Sequence, residues 1–170
     1  MKISSNKLKD IIDFAYQELE SLYEKDEIRS MIYSIIEHFT GYDLMKILTY
    51  KDELKVSESE LLKINFAIKD LKKEKPLQQI IGYCEFLDVR IEVNQHVLIP
   101  RVETEEIVQR VIKENKGIKN LKIADICCGS GCIAIALKKA FPDANIYAYD
   151  ISEEALKKSK ENAEKNKEKI

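Results

Sequence analysis

The stretch IADICCGSGCIAIALKKAFPDANIYAYD, residues 123–150, decides the fold of the second half of this 170-residue chain. It begins as a short apolar strand, turns through Gly129 and Gly131, continues as a helix of small apolar residues and ends in a second apolar strand. Two short strands joined by a helix are typical of a βαβ unit with parallel strands. The helix that follows the turn points its first N–H groups towards the turn, which predicts a ligand site there.

Two acidic residues accompany the glycine turn. Asp125 lies near the end of the first strand, and Asp150 follows the second. A carboxylate at the position of Asp150 can accept hydrogen bonds from both hydroxyls of a ribose. Ile151 comes next and could pack against a nucleobase. We therefore predict a nucleoside-containing cofactor at this turn, bound by Asp125, Gly129, Gly131, Asp150 and Ile151.

Two cofactor classes fit this pattern. The spacing Gly129-x-Gly131-x-x-Ala134, with an acidic residue about 20 positions further on, also matches the dinucleotide fingerprint. Asp125 favours the other class, because a carboxylate before the turn suits a cofactor with a cationic amino-acid part and would repel a pyrophosphate. We predict S-adenosyl-L-methionine. A dinucleotide-dependent oxidoreductase remains the alternative.

The cysteines predict no metal site. Cys127, Cys128 and Cys132 cluster in the turn, but their spacing is not a usual zinc spacing and no histidine lies nearby. With Cys84 they form no disulfide framework, which favours small buried side chains in a reducing cytoplasm. No segment holds the roughly 20 apolar residues that a membrane span needs, so we expect no membrane partner.

The remainder of the chain predicts an α/β protein with three parts. Residues 1–75 carry apolar side chains at helical spacing and are expected to form an N-terminal helical bundle. Residues 76–100 are expected to form a β-hairpin linker, because apolar and polar side chains alternate from Tyr83 to Ile99, with the turn near Asn94-Gln95. Residues 101–170 would form the truncated α/β domain. The formal net charge of −2 offers no basic field for phosphates, so we expect no direct nucleic-acid partner.

Local signals mark several helix ends. Thr40-Gly41 is expected to stop one helix of the bundle. Ser57, with Glu60 three residues later, forms the sequence pattern of a capping box. Ser152 is expected to cap the last helix of the chain.

Two segments resemble the release factor glutamine methyltransferase family. They are PLQQIIGYCEFLDVRIEVNQHVLIPRVETEEIV, residues 76–108, and IADICCGSGCIAIALKKAFPDANIYAYDISEEAL, residues 123–156. The IPR-x-ETE motif, residues 99–105, is more specific than the glycine turn. The resemblance implies methylation of the side-chain amide nitrogen (N5) of the glutamine in the Gly-Gly-Gln motif of class I peptide chain release factors. It also implies a helical bundle joined by the hairpin to a class I, Rossmann-like S-adenosylmethionine-dependent methyltransferase domain.

Two points of the resemblance concern particular residues. By position, the resemblance implies that Cys127, Cys128, Gly129, Ser130, Gly131 and Asp150 contact the cofactor. The family usually has glycine where this chain has Cys127, from which we expect a modest weakening of cofactor binding at most. The acidic segment upstream of the turn has two interpretations. Its side chains either line the methionine end of the cofactor and the mouth of the pocket, or cap a helix and form surface ion pairs. The residues concerned are Arg101, Glu103, Thr104 and Glu105.

The family's catalytic signature, Asn-Pro-Pro-Tyr, is absent from a chain whose prolines are Pro76, Pro100 and Pro142. We interpret the chain as the N-terminal part of a longer protein that is monomeric when complete. The chain alone is expected to bind cofactor weakly and not to methylate. A non-catalytic module that docks a release factor, or a methyltransferase for another planar amine such as a nucleic-acid base, remains open.

Overall fold

The computed structural model describes residues 5–170. Within that range the chain divides into two compact units, which meet in sequence between Ile81 and Gly82. The segment predicted as a linker, residues 76–100, is divided at this boundary. Its first residues form a short helix whose side chains pack in the core of the first unit, whereas the hairpin packs in the core of the second.

The described part of the first unit consists of helices joined by short loops, with one isolated β-bridge between Lys7 and Lys55, and its helices share one core of aliphatic side chains. Ile11, Ile32 and Ile64 come from three different helices and have no exposed surface. Burial of the apolar face of each helix, more than helix propensity, stabilises helices of this length. The helices are α1 (Leu8–Leu19), α2 (Lys25–Thr40), α3 (Leu44–Tyr50), α4 (Glu58–Leu71) and α5 (Leu77–Ile81).

The helix-end signals of this unit are confirmed. The Ser57 amide donates to Glu60 Oε2 over 2.7 Å, and the Glu60 amide donates to Ser57 Oγ over 3.3 Å, which completes the capping box of α4. Gly41 follows α2 with φ of +70°, the left-handed conformation in which glycine commonly ends a helix.

The second unit contains the strands. The order is β1 (Tyr83–Phe86), β2 (Val89–Glu92), α6 (Val102–Glu114), β3 (Lys122–Ile126), α7 (Cys132–Ala140), β4 (Asn145–Tyr149) and α8 (Glu153–Lys165). Strands β1 and β2 are antiparallel. Strands β3 and β4 are parallel, in register from Lys122 opposite Asn145 to Ile126 opposite Tyr149. The predicted βαβ unit is therefore confirmed, as is a mixed helix-and-strand protein.

The predicted position of the hairpin turn is wrong. The strands reverse at Leu87-Asp88, not at Asn94-Gln95, which belongs to a second turn after β2. Leu87 and Asp88 have φ of +47° and +60°, the conformation that two-residue hairpin turns require. Such turns usually contain Asn or Gly, so a leucine gave no sequence signal for this one.

The two faces of the β3–β4 pair differ. Helix α7 packs against both strands and also against α6, α8 and β2. The covered face carries Asp125 and Ile146, which are buried, whereas Ile126 and Tyr149 on the opposite face are largely exposed. None of the helices in residues 5–170 has the length and apolar character to cross a membrane.

Candidate functional site

The carboxyl ends of β3 and β4 lie side by side, since the two strands are parallel neighbours. The pairing continues one step beyond the strands, where the Cys128 amide donates to the Tyr149 carbonyl over 2.9 Å. The chain then turns through Gly129 and Gly131 into α7. Ligands of open α/β sheets bind at this edge of the sheet. The parallel pairing thus brings the glycine turn and Asp150 to the same place.

The Asp150 carboxylate joins the two turns at this edge. Its Oδ2 accepts the Gly129 amide over 2.9 Å, and its Oδ1 accepts the Ser152 amide over 2.9 Å. These backbone bonds, that from Ser152 first, lower the pKa of Asp150 below its ordinary value, so the group is negatively charged at neutral pH. A carboxylate has about four lone-pair positions, so both oxygens can still accept further hydrogen bonds, such as those of a ribose.

Asp125 has a different environment. It is buried, with 8% of its surface exposed, and its Oδ2 accepts the Ala134 amide over 3.2 Å. It thus caps α7, whose N-cap residue, Gly131, has no side chain to do so. Burial raises the pKa of Asp125; the Ala134 bond opposes this and the Asp150 charge adds to it.

The two glycines of the turn both have left-handed backbones, but their surroundings differ. Gly129 has φ of +54°, and a Cβ there would meet no atom within 4 Å. Gly131 has φ of +78°, and a Cβ there would overlap the Ser159 hydroxyl and lie 3.1 Å from Ser159 Cβ. The turn is therefore open to solvent at Gly129 and packed against α8 at Gly131.

Cys84, Cys128 and Cys132 have environments that make their thiols poor nucleophiles and poor metal ligands. Burial raises the pKa of Cys84 and of Cys132 to about 11, and it also raises the pKa of Cys128. At neutral pH these thiols keep their protons. All four cysteines are free, and residues 5–170 contain no group of three or more potential ligands that could hold a metal ion.

Known proteins match this chain in sequence. Residues 103–170 match the family described as methyltransferase small domain. The chain is 42% identical over 151 residues to a protein named release factor glutamine methyltransferase from Flavobacterium psychrophilum, a match that covers 86% of the chain and 52% of the relative. Proteins of the same name match from Bacteroides thetaiotaomicron (39%; 91% and 54% covered) and Streptococcus pneumoniae (37%; 92% and 55% covered).

The chain is a relative of the release factor glutamine methyltransferases. It spans about half the length of the curated relatives that it matches. The family resemblance noted from the sequence is therefore confirmed across about nine-tenths of the chain.

Against that family, the structure clarifies the unusual Cys127. Its φ is +65°, and its side chain is exposed at the turn. Only glycine adopts this conformation without steric strain, which explains why glycine is usual at the position. Cys127 adopts this left-handed conformation and therefore has the backbone strain that any residue with a side chain has there.

The IPR-x-ETE segment lies at the start of α6. Arg101 is the N-cap residue with extended backbone, and its carbonyl accepts the amides of Thr104 and Glu105 over 3.0 and 3.3 Å. Arg101 and Glu103 are exposed, while Glu105 lies near enough to the Cys84 thiol for its charge to raise the pKa of that thiol. Both interpretations of these side chains stay predictions. Ile151 is fully exposed beside Asp150, where a nucleobase could reach it.

Sequence reasoning missed two residues of α8 that contact the turn, Ser159 and Asn162. Both are buried, and they lie on the face of α8 that packs inward. The signal was present, because small or uncharged residues recur at helical spacing within a charged segment. The recurring residues are Ala155, Ser159, Asn162 and Ala163.

We predict that Gly131→Ala destabilises the protein by about 2–4 kcal/mol, because it adds overlap with Ser159 to left-handed strain. The control Gly129→Ala adds strain alone and should reduce the free energy of unfolding by about 1 kcal/mol. Chemical denaturation measures both. The double variant Gly131→Ala with Ser159→Ala should recover part of the loss. Equal effects of the two single variants would contradict the packing described here.

We predict that Asp150 stabilises the fold at pH values above the ordinary pKa of an aspartate and that this stabilisation disappears on acidification. Its pKa is lowered on folding, so the contribution is present above about pH 4, the ordinary pKa of an aspartate, and is lost as pH falls through the lower pKa of the folded state. Asp150→Asn should lower the free energy of unfolding at pH 7 by about 1 kcal/mol and flatten its acid dependence. Exposed Asp143, in the turn before β4, offers the control Asp143→Asn. An acid dependence unchanged by Asp150→Asn would refute the role given to this carboxylate.

Proposed function

We propose that the second unit of this chain binds S-adenosyl-L-methionine as the methyl donor of a protein methyltransferase. One observation carries this proposal: the charged Asp150 carboxylate is held beside the Gly129 amide at the end of a parallel strand. Ribose hydroxyls can donate to that carboxylate, and the first amides of α7 face the amino-acid end of the donor. The methyltransferase match over residues 103–170 supports this assignment.

The proposed acceptor is the side-chain amide nitrogen of the glutamine in the Gly-Gly-Gln motif of peptide chain release factors. Support for it comes from the names of the relatives and from the IPR-x-ETE segment. In the reaction the amide nitrogen bonds to the methyl carbon as the carbon–sulfur bond breaks. The nitrogen then loses one proton, and S-adenosylhomocysteine leaves.

The difficulty of this reaction lies in the nucleophile. The lone pair of an amide nitrogen is delocalised, so the enzyme has to hold the amide and aim the nitrogen along the line of the carbon–sulfur bond. Such positioning can supply several kcal/mol of the barrier reduction, up to about 7–11 in favourable cases. The Asn-Pro-Pro-Tyr tetrapeptide does not occur in the sequence. We therefore assign donor binding, and not the handling of the amide, to residues 82–170.

The proposal extends to partners and compartment. Release factors are the proposed protein partners of the complete enzyme, which we take to act as a monomer without direct nucleic-acid contact. Four free thiols suit a reducing compartment, so we place the reaction in the cytoplasm.

A hybrid enzyme tests this function. In this hybrid, residues 1–170 replace the matched half of the Flavobacterium psychrophilum relative. The hybrid is mixed with a class I release factor and S-adenosylmethionine. Mass spectrometry then measures methylation of the peptide that contains the Gly-Gly-Gln motif. The expected product carries one methyl group on the glutamine side chain. The release factor with that glutamine replaced by alanine serves as the control acceptor.

Two results would contradict the proposal. A cooperatively folding hybrid that leaves the release factor unmodified would argue against this assignment of the donor site. Methylation of a nucleic-acid base, with none on the release factor, would favour the base-amine alternative.

A further inference from the structure

Asn162 of α8 is the polar residue that the second unit buries most completely. It has no exposed surface, and within residues 5–170 no other polar or charged side chain is so enclosed. Burying an amide side chain is unfavourable unless its hydrogen-bonding groups are satisfied. The partners of Asn162 therefore indicate why an asparagine occupies this position.

All of the hydrogen bonds of this amide go to backbone groups. Asn162 Oδ1 accepts the Glu92 amide over 2.9 Å, and Asn162 Nδ2 donates to the Glu92 carbonyl over 3.0 Å. Nδ2 also donates to the Ser130 carbonyl over 2.9 Å. The side chain thus binds the end of β2 in the manner of a neighbouring strand and, at the same time, the centre of the glycine turn.

The bond to Ser130 fixes one peptide unit of the turn. The Ser130 carbonyl and the Gly131 amide belong to the same planar peptide, so they rotate together. Asn162 holds the carbonyl, and the Gly131 amide donates to the Cys128 carbonyl over 2.8 Å. A flip of this peptide would break both bonds and leave buried polar groups unpaired.

A fixed peptide matters in this turn because its backbone is otherwise permissive. Glycine populates left-handed and right-handed conformations with similar ease, so a turn with Gly129 and Gly131 has several accessible shapes. A ligand held by backbone groups binds more tightly when those groups already have the bound geometry.

Further bonds attach α8 to β2 on either side of Asn162. Lys158 Nζ lies 3.6 Å from Glu92 Oε2, and Lys165 forms a second ion pair with the same carboxylate. Asn166 Nδ2 donates to the Arg90 carbonyl over 2.9 Å. Asn162 differs from these residues because it alone, among the described α8–β2 contacts, also bonds to the turn.

We propose that Asn162 is a positioning residue for the methyl donor and that its side chain couples the cofactor turn to the end of the hairpin at Glu92. The inference rests on the proposed function, in that the turn is taken to bind S-adenosylmethionine. Asn162 holds the Ser130–Gly131 peptide in one orientation before the donor binds, and a change that the donor makes at this peptide reaches the Glu92 backbone through the same amide. The hairpin end thereby supports the donor site through Asn162.

The first test uses the unaltered chain. Amide resonances of the ¹⁵N-labelled protein would be followed during titration with S-adenosylmethionine at millimolar concentrations. We expect shifts at Gly129 and Gly131 and a shift at Glu92 with the same concentration dependence. Leu87, at the far end of the hairpin, is the control and should stay unchanged.

The outcomes of this titration separate the two proposals. Shifts in the turn with none at Glu92 would overturn the coupling and leave donor binding intact. No donor-dependent shift at any of these amides would contradict the proposed function, and the coupling with it.

A matched pair of variants forms the second test. Asn162→Asp keeps the shape and the acceptor but replaces the donating NH₂ with an oxygen that repels the Ser130 and Glu92 carbonyls. Asn166→Asp makes the same change of charge one turn later, at the C-cap residue of α8, and removes only side-chain bonds to the Arg90 carbonyl and to the Asn162 carbonyl. We expect donor affinity to fall about tenfold in Asn162→Asp and less than twofold in Asn166→Asp.

A structural role alone would predict a different pattern. In that case both variants would lose stability, but each folded variant would bind the donor with the affinity of the unaltered chain. Equal donor affinities of the two folded variants and the unaltered chain would therefore overturn the proposal. Circular dichroism establishes that each variant is folded at the temperature of the titration. Should Asn162→Asp not fold, the result with the unaltered chain decides the question.

Discussion

Two carboxylates at the ends of neighbouring parallel strands hold the glycine turn, and the rest of the site depends on them. Asp150 binds the Gly129 amide near the start of the turn, and Asp125 binds the Ala134 amide where the turn becomes α7. Parallel pairing is what brings both groups to one edge. These bonds matter because glycine adopts several backbone conformations, so a turn with two glycines relies on bonds from outside the turn to define its shape.

The two carboxylates make different electrostatic contributions. Asp150 has a lowered pKa and is accessible, so it presents a negative charge to whatever binds the turn. Asp125 is buried and accepts the Ala134 amide, so it caps the start of α7, and burial raises its pKa. The accessible carboxylate of Asp150 suits hydroxyl donors such as those of a ribose.

The sequence predicted the elements whose signals are local. The strands 122–126 and 145–149 follow from apolar runs bounded by turn residues, and the helix ends at Gly41 and Ser57 follow from their side chains. The hairpin turn was placed wrongly because Leu87 adopts a backbone conformation for which leucine has no preference. The role of Asn162 could not be predicted, since its partners lie 32 and 70 residues away in sequence.

We propose that the turn and Asp150 together bind S-adenosylmethionine. A crystal structure of the chain grown with S-adenosylhomocysteine, the product that keeps the ribose and the amino-acid part of the donor, would test this binding mode. We expect both ribose hydroxyls within about 3 Å of the Asp150 carboxylate and the amino-acid part over Cys127–Gly131. A ligand bound elsewhere, or a dinucleotide occupying the turn through its pyrophosphate where S-adenosylhomocysteine does not bind, would contradict it.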